Sequence, residues 1–381
     1  MRVVLTGGGT GGHIYPALAI GREVLAREPD SELLYIGAVR GLESRVVPRH
    51  GLRFEQIDIT GFRRSLSWHN VRTVWRFVRG VRKAKALLRE FRPDIVVGTG
   101  GYVCGPVVYA AAKLGIPALI HEQNVVPGLT NRFLCRYVQG VAVSFADSLP
   151  HFQRLLASRS GKRGSVRLTH TGNPCASVVA AASPADGYAS LGLAPGTPFV
   201  LIVGGSGGAK AINEAVAAMV PRLDRVAGVR FVFVTGERYY EETVRNIGDA
   251  PPVADGRLKI VPYLHNMPDV LAAASLVVSR AGASSLAEIT SLGVPAILIP
   301  SPNVTGNHQQ ANAESLANAG AAVMMLERDL TGDALLEKVT AIMRDPERRR
   351  TMAAASRALG RPEAAGLVYA EMRALLDGAT I

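Results

Sequence analysis

Gly7-Gly8-Gly9-Thr10-Gly11-Gly12-His13-Ile14-Tyr15-Pro16 follows directly on Arg2-Val3-Val4-Leu5-Thr6, a short β-branched apolar run. The run has the composition of a buried strand. Beyond the glycines, Leu18, Ala19, Val24 and Leu25 recur at helical spacing, so the pattern predicts a helix starting near Ile14 or Tyr15. A strand that breaks into glycines and then enters a helix is the first unit of a doubly wound α/β domain. The glycines let backbone approach a ligand closely, and the helix N-terminus offers unpaired N–H groups and a positive dipole end to an anion. Gly7, Gly9 and Gly12 also satisfy the dinucleotide fingerprint G-x-G-x-x-G. A dinucleotide site wants an acid at the end of the second strand. The predicted strand Glu32 to Ile36 instead runs into Gly37-Ala38-Val39-Arg40. Only Arg40, facing a 2′-phosphate, keeps an NADP reading open.

At 381 residues the chain is long enough for two domains, and its 48% apolar content suits a globular α/β protein. No signal peptide is expected at the N-terminus. The most apolar stretch, Val107 to Ile120, is interrupted by Lys113, Gly115 and Pro117, too broken to span a bilayer. Cys104, Cys135 and Cys175 are widely spaced, which suits reduced thiols and argues against a structural zinc. There is no G-x-x-x-x-G-K-[ST] and no Asp-x-Asp pair to hold a metal on a diphosphate, so no metal and no cofactor is expected.

The formal charge of +12 is concentrated. Between Phe62 and Arg92, ten Lys and Arg residues stand against Glu90 alone. A helix predicted from about Asn70 to Glu90 places Val71, Val74, Trp75, Val78, Val81 and Leu88 on one face. Arg72, Arg76, Arg79 and Lys83 form a neighbouring stripe, and Phe62, Arg63, Leu66 and Trp68 lie just upstream. Apolar and aromatic residues beside a cationic stripe read as a surface that docks on an anionic membrane. An ordinary solvated helix would explain the valines but not the charge excess.

Further strands end in glycine-rich or polar loops: Gly98-Thr99-Gly100-Gly101-Tyr102 after Asp94 to Val97, and Glu122-Gln123-Asn124-Val125-Val126-Pro127-Gly128-Leu129-Thr130-Asn131 after Pro117 to His121. Then the pattern restarts. Phe199 to Val203 runs into Gly204-Gly205-Ser206-Gly207-Gly208-Ala209-Lys210. Leu276 to Ser279 leads to Arg280 through Glu288, and Pro295 to Pro300 leads to Gln309-Gln310. Two successive halves of this kind predict two Rossmann-like domains facing each other across a cleft. The division expected is residues 1–174 with a returning C-terminal helix, 362–381, against residues 175–361.

These motifs resemble a family of bacterial peptidoglycan glycosyltransferases. Its members move N-acetylglucosamine from UDP-N-acetylglucosamine onto an undecaprenyl-pyrophosphoryl-N-acetylmuramoyl-pentapeptide. The likeness runs through Gly8 to His13, Gly100 to Pro106, His121 to Asn131, Gly172 to Pro174, Gly204 to Ala209, Ser279 to Glu288 and Pro300 to Ala313. It implies the two-Rossmann GT-B glycosyltransferase fold, with the lipid acceptor on the first domain and the UDP-sugar on the second. By resemblance, Leu264 meets the uracil, Glu288 the ribose hydroxyls, and Gln309 and Gln310 the sugar hydroxyls. Ser206 and the N–H groups of Ala283, Ser284, Ser285 and Leu286 meet the diphosphate. Thr10, Gly11 and Gly12 hold the lipid pyrophosphate, with Asn124 and Asn131 near the acceptor. The protein is then expected at the cytoplasmic face of the membrane, peripherally bound to its anionic inner leaflet, with no nucleic acid as partner. One departure stands out. Family members usually carry an Arg after Gly172-Asn173-Pro174, and here Cys175-Ala176 follow, leaving Arg280 or Lys210 to supply that contact.

The implied reaction needs a base for the acceptor hydroxyl. His13 has a suitable unperturbed pKa, and Glu122 is the other candidate. Rival readings remain at this level: a UDP-sugar epimerase with no lipid acceptor, a transferase acting on another lipid, an NADP oxidoreductase, and a nucleic-acid binder resting on the basic helix alone.

Overall fold

The computed structural model describes residues 1–61, 68–157 and 166–378. The chain divides into two compact units, Met1–Ser177 with Glu363–Ile381, and Val178–Pro362. In the first, seven strands form a parallel sheet: β1 (Arg2–Thr6), β2 (Glu32–Ala38), β3 (Arg53–Ile57), β4 (Ile95–Gly98), β5 (Ala118–Glu122), β6 (Gly140–Val143) and β7 (Arg167–His170). Their order is β3-β2-β1-β4-β5-β6-β7. In the second, the strands are β8 (Phe199–Val203), β9 (Arg230–Val234), β10 (Leu258–Val261), β11 (Leu276–Ser279), β12 (Ala296–Leu298) and β13 (Ala322–Met324), in the order β10-β9-β8-β11-β12-β13. Both orders reverse once, between β1 and β4 and between β8 and β11. Open α/β sheets bind ligands at the carboxyl ends of such neighbouring strands.

The helices that build the sites are α1 (Gly11–Arg27), α2 (Trp68–Phe91), α3 (Cys104–Leu114), α4 (Leu129–Leu134), α5 (Lys210–Met219), α6 (Ala283–Leu292), α7 (His308–Asn318) and α8 (Ala364–Gly378). Alternation along the strands feeds cores on both faces of the first sheet. Val4, Ile36, Val96 and Ile120 pack with Leu88 of α2 and Val107 and Val108 of α3. Val3, Leu5, Tyr35 and Val97 pack with Ile14 and Leu18 of α1 and with Val368 and Met372 of α8. In the second unit Val200, Ile202, Phe231 and Phe233 cover Ile212 and Val216 of α5.

Two local expectations are corrected. α1 begins at Gly11, not near Ile14, so both glycines and His13 lie in its first turn. Glycine is poorly suited to a helix interior, but the N–H groups of Gly11 and Gly12 precede the first intrahelical bonds, which His13 N and Ile14 N donate to Thr10 O, so backbone there stays available to a ligand. The buried face of α2 is also rotated from the one expected. Thr73, Gly80, Ala84, Leu87, Leu88 and Phe91 are buried, whereas Trp75 is 59% and Val78 46% exposed. Gly80 lies against Pro106, where an added Cβ would stand 3.3 Å from that ring. Small residues let α2 settle close to α3, which leaves the larger valine and tryptophan outside. Arg79 stacks on Trp75 at 4.6 Å, while Arg76 reaches Asp58 (3.8 Å) and Thr60 (3.4 Å). The expected membrane contacts Phe62 and Arg63 lie outside the described residues, as do the side chains of Trp68 and Arg72. Among the described residues no helix is long and apolar enough to cross a membrane.

Candidate functional site

In the first unit the loops after β1, β4 and β5 come together. Gly8 N donates to Gly100 O (3.2 Å) and the Thr99 hydroxyl to His13 O (2.7 Å). Gly100 and Gly101 adopt φ of +103° and +82°. An added Cβ on Gly101 would stand 2.1 Å from Gly8 O, so only glycine fits this crossing. Thr10 is the N-cap of α1, its side chain making no capping bond to the backbone, and the first turn holds no acid. The N–H groups of Gly11 and Gly12 therefore lead a 17-residue helix whose N-terminus favours an anion.

His13 sits half-buried at this point. Its Nδ1 lies 3.0 Å from Gly8 O and 3.2 Å from Thr10 Oγ1. A carbonyl oxygen only accepts, so Nδ1 carries the proton and Nε2 the lone pair of the neutral ring. That is the tautomer a proton acceptor needs.

The other candidate base, Glu122, is held in a different way. Its Oε1 accepts from Asn124 N (3.0 Å) and Asn124 Nδ2 (3.3 Å), and its Oε2 from Gly128 N (3.0 Å) and Asn131 Nδ2 (2.9 Å). A carboxylate 2% exposed and holding four donors organises the loop around it. Asn131 also donates to His121 O (3.2 Å), and Asn124 O accepts from Ser148 (2.8 Å). His121 Nε2 meets Gly172 O (2.9 Å), so its Nδ1 accepts from Gln123 (3.0 Å). Burial pulls the His121 pKa down to about 4, which keeps this ring neutral. The polar run from His121 to Asn131 is thus mainly a network that shapes the loop.

One residue of the site went unnoticed in the sequence. Glu43, fully buried, places Oε2 3.0 Å from Gly9 N and Oε1 3.0 Å from Ala38 N. A Cβ on Gly8 or Gly41 would collide with its carboxylate. The available signal was the glycine spacing Gly37, Gly41 ahead of a lone acid, but Glu43 lies past the strand end, where a ribose-binding acid was sought.

The second unit carries a cavity of about 600 Å³, lined among others by Gly204, Gly208, Lys210, Arg280, Ser301 and Gln309. α5 and α6 both start without a side-chain cap and without a first-turn acid. In α6 the N–H groups of Ala283, Ser284 and Ser285 lead the helix. Leu286 N instead donates to Gly282 O (3.0 Å) and its side chain is buried, which removes it from the expected diphosphate set. Ser206 is exposed at the tip of its glycine loop. Arg280 pairs with Glu327 and donates to Ile299 O (3.1 Å), so its charge is already shared. Gln309 Oε1 accepts from Ser301 N (2.9 Å). Gln310 bridges Asn307 (2.7 Å) and Glu314 (2.8 Å). Leu264 lies half-buried in the loop after β10. Shielding of the Glu288 carboxyl from water raises its pKa to about 7. Cys175 and Ala176 are buried, with Cys175 N donating to Asn173 Oδ1 (3.1 Å). Among the described residues no three His, Cys, Asp or Glu side chains gather as a metal site.

Comparison with known proteins bears on both units. Residues 3–143 match the glycosyltransferase family 28 N-terminal domain and residues 199–368 its C-terminal domain. The chain is 51% identical to the UDP-N-acetylglucosamine–N-acetylmuramyl-(pentapeptide) pyrophosphoryl-undecaprenol N-acetylglucosamine transferase of Halalkalibacterium halodurans, over 96% of this chain and 97% of that one. It is 48% identical to the protein of the same name in Listeria welshimeri, again over 96% and 97%. In structure it is similar to Acinetobacter baumannii MurG, with a TM-score of 0.75 and 29% identity over 98% and 99% of the two chains. A UDP-GlcNAc 2-epimerase from Neisseria meningitidis shares the fold alone, at 14% identity and a TM-score of 0.64 over 98% and 99%.

Proposed function

The chain belongs to glycosyltransferase family 28, and from that premise we propose that it transfers N-acetylglucosamine from UDP-N-acetylglucosamine to the 4-hydroxyl of undecaprenyl-pyrophosphoryl-N-acetylmuramoyl-pentapeptide. The observation that carries this reading is an uncapped, glycine-led helix N-terminus beside His13, whose Nε2 bears the lone pair. An anionic group held by Thr10, Gly11 and Gly12 brings its sugar next to a proton acceptor. The diphosphate of the donor rests against Ser206 and the leading N–H groups of α6. Helix dipoles offset its charge there without a metal. Glu288 accepts from the ribose hydroxyls, the Leu264 backbone meets the uracil, and Gln309 and Gln310 read the sugar.

The 4-hydroxyl oxygen attacks the anomeric carbon as the bond to UDP breaks on the opposite side. UDP leaves with the bonding pair, the hydroxyl proton passes to His13 Nε2, and an α-linked donor gives a β-linked product. General-base help of this kind contributes about 10²–10⁴-fold.

The membrane is reached peripherally, at its cytoplasmic face. Exposed Trp75 and Val78 lie beside Arg79, and an aromatic cluster of Phe77, Tyr109, Phe133 and Tyr137 joins α2, α3 and the segment around α4. Leu129, 72% exposed, leads α4. Apolar side chains among cations suit an anionic leaflet.

The test is direct. Labelled UDP-N-acetylglucosamine and a short-chain lipid acceptor are mixed with the protein, and the lipid-linked disaccharide is sought. Label that leaves UDP without acceptor present, or no disaccharide at all, would overturn the assignment.

A further inference from the structure

The Gly8–Gly9 peptide is gripped at both ends. Its N–H, on Gly9, donates to Glu43 Oε2 (3.0 Å). Its C=O, on Gly8, accepts from His13 Nδ1 (3.0 Å). A trans peptide points these two groups in opposite directions, so carboxylate, peptide and imidazole lie in one hydrogen-bonded line. We propose that Glu43 is a positioning residue for His13, acting through this peptide to hold the ring and to favour the imidazolium that forms as the acceptor hydroxyl loses its proton. The proposal rests on His13 being the base.

The physical case has three parts. A hydrogen bond from Gly9 N–H to an anion polarises the peptide and makes Gly8 O a stronger acceptor, because linked hydrogen bonds reinforce one another. Glu43 is fully buried, where its charge is screened little by water. Its second oxygen is anchored on Ala38 N (3.0 Å), at the end of β2, so the carboxylate cannot swing away from Gly9. The arrangement has the logic of a carboxylate–histidine pair, with a peptide inserted between the partners.

Among the described residues, the other titratable side chains that hydrogen-bond or pack on the loop are phenols and a thiol. Tyr35, from β2, donates to Gly7 O (2.7 Å). Tyr102, after β4, would meet a Cβ on Gly9 at 3.1 Å, and Tyr15, on α1, one on Gly11 at 3.0 Å. The Cys104 thiol, from α3, meets Thr6 O (2.9 Å) and the backbone of Gly100. Their ordinary titrations lie above that of imidazole. Burial pushes Tyr35 and Tyr102 up further, and Cys104 up to about 12.

The test reads His13 by NMR, with ¹³C-labelled histidine and a His13→Gln variant to assign its signal. In the unaltered protein the Gly9 amide proton should follow the His13 titration, and that response should vanish in His13→Gln. In Glu43→Gln the His13 pKa should fall by about one unit, the direction expected when a nearby negative charge is removed. kcat should fall roughly tenfold, its acidic limb moving to lower pH with the NMR titration, while KM for UDP-N-acetylglucosamine stays put. A Gly9 amide that ignores the His13 titration overturns the relay, and needs no variant at Glu43 to fold. An unmoved His13 titration in a folded Glu43→Gln protein overturns it equally. An acidic limb retained in His13→Ala would instead overturn the base assignment, an outcome distinct from either.

Discussion

Hydrogen-bond capacity separates His13 from Glu122 at the scale of single residues. Each was a legible candidate, because residue type is visible in a sequence and occupied lone pairs are not. Glu122 spends both oxygens on four donors, whereas the His13 ring is held at Nδ1 by Gly8 O and Thr10 Oγ1. His13→Ala is therefore expected to lower kcat by about 10²–10⁴-fold and to abolish the acidic limb of the kcat–pH profile. Glu122→Gln should chiefly lower the melting temperature, since an amide cannot accept from all four donors. Glu288 leads to a second residue-scale expectation. Its carboxyl keeps a proton up to about pH 7, against 4.5 for the ordinary group, so the ligand-free protein loses stability as pH rises between those values. Ribose hydroxyls donating to the carboxylate reverse that preference, so donor binding below pH 7 should release a proton and tighten as pH rises toward 7. Calorimetric titration at pH 6 in two buffers of different ionisation enthalpy measures this. Identical apparent enthalpies would remove Glu288 from the ribose.

At the scale of elements, strands were easier to read than helix limits and faces. Val3-Val4-Leu5 and Phe199 to Val203 are β-branched or apolar runs closed by glycine, a signal carried by composition alone. The start of α1 was hidden because glycine looks like a breaker, yet its first-turn positions spend little helix propensity. The face of α2 was misread because Trp75 and Val78 share a helical period with Leu88 while the packed side is filled by Gly80 and Ala84. Burial decides between such stripes, and burial depends on what α3 presents. Glu43 was hard to read for a related reason: beyond the glycines that flank it, its partners are the backbone N–H groups of Gly9 and Ala38, which carry no side-chain signal. The corrected face makes a contrast that can be measured. Leu88→Ala should cost about 2–5 kcal/mol in urea unfolding, as a cavity in the core does. Trp75→Ala together with Val78→Ser should change stability by less than about 1 kcal/mol but weaken pelleting with anionic liposomes. Pelleting that survives the double substitution places the docking face elsewhere.

Across the whole molecule, the repeated strand–glycine–helix pattern was visible because each repeat is local, and the helix expected over 362–381 forms from Ala364 to Gly378, although the residues it packs on lie nearly the full sequence away. α8 supplies Val368 and Met372, both fully buried, to the core shared by Ile14 and Leu18 of α1. Tyr369 adds a hydrogen bond to Glu28 (2.6 Å), and Glu371 an ion pair with Arg167 (3.0 Å). The core of the second unit, built on Val200, Phe231 and Ile212, includes no residue of α8. A chain ending at Pro362 should therefore lose stability in its first unit selectively. Losing the burial of Val368 and Met372 removes about 1.5–3 kcal/mol each, enough to threaten a domain of ordinary stability. The residues proposed for the donor, from Ser206 to Gln310, all lie within the second unit, so the truncated protein should still bind UDP while failing to transfer sugar. Isothermal titration with UDP, run beside amide hydrogen exchange, checks both halves of the expectation. Exchange should accelerate across β1 and α1 and stay slow across β8 and α5. Loss of UDP binding together with fast exchange in β8 would mean that the two units do not hold their cores independently.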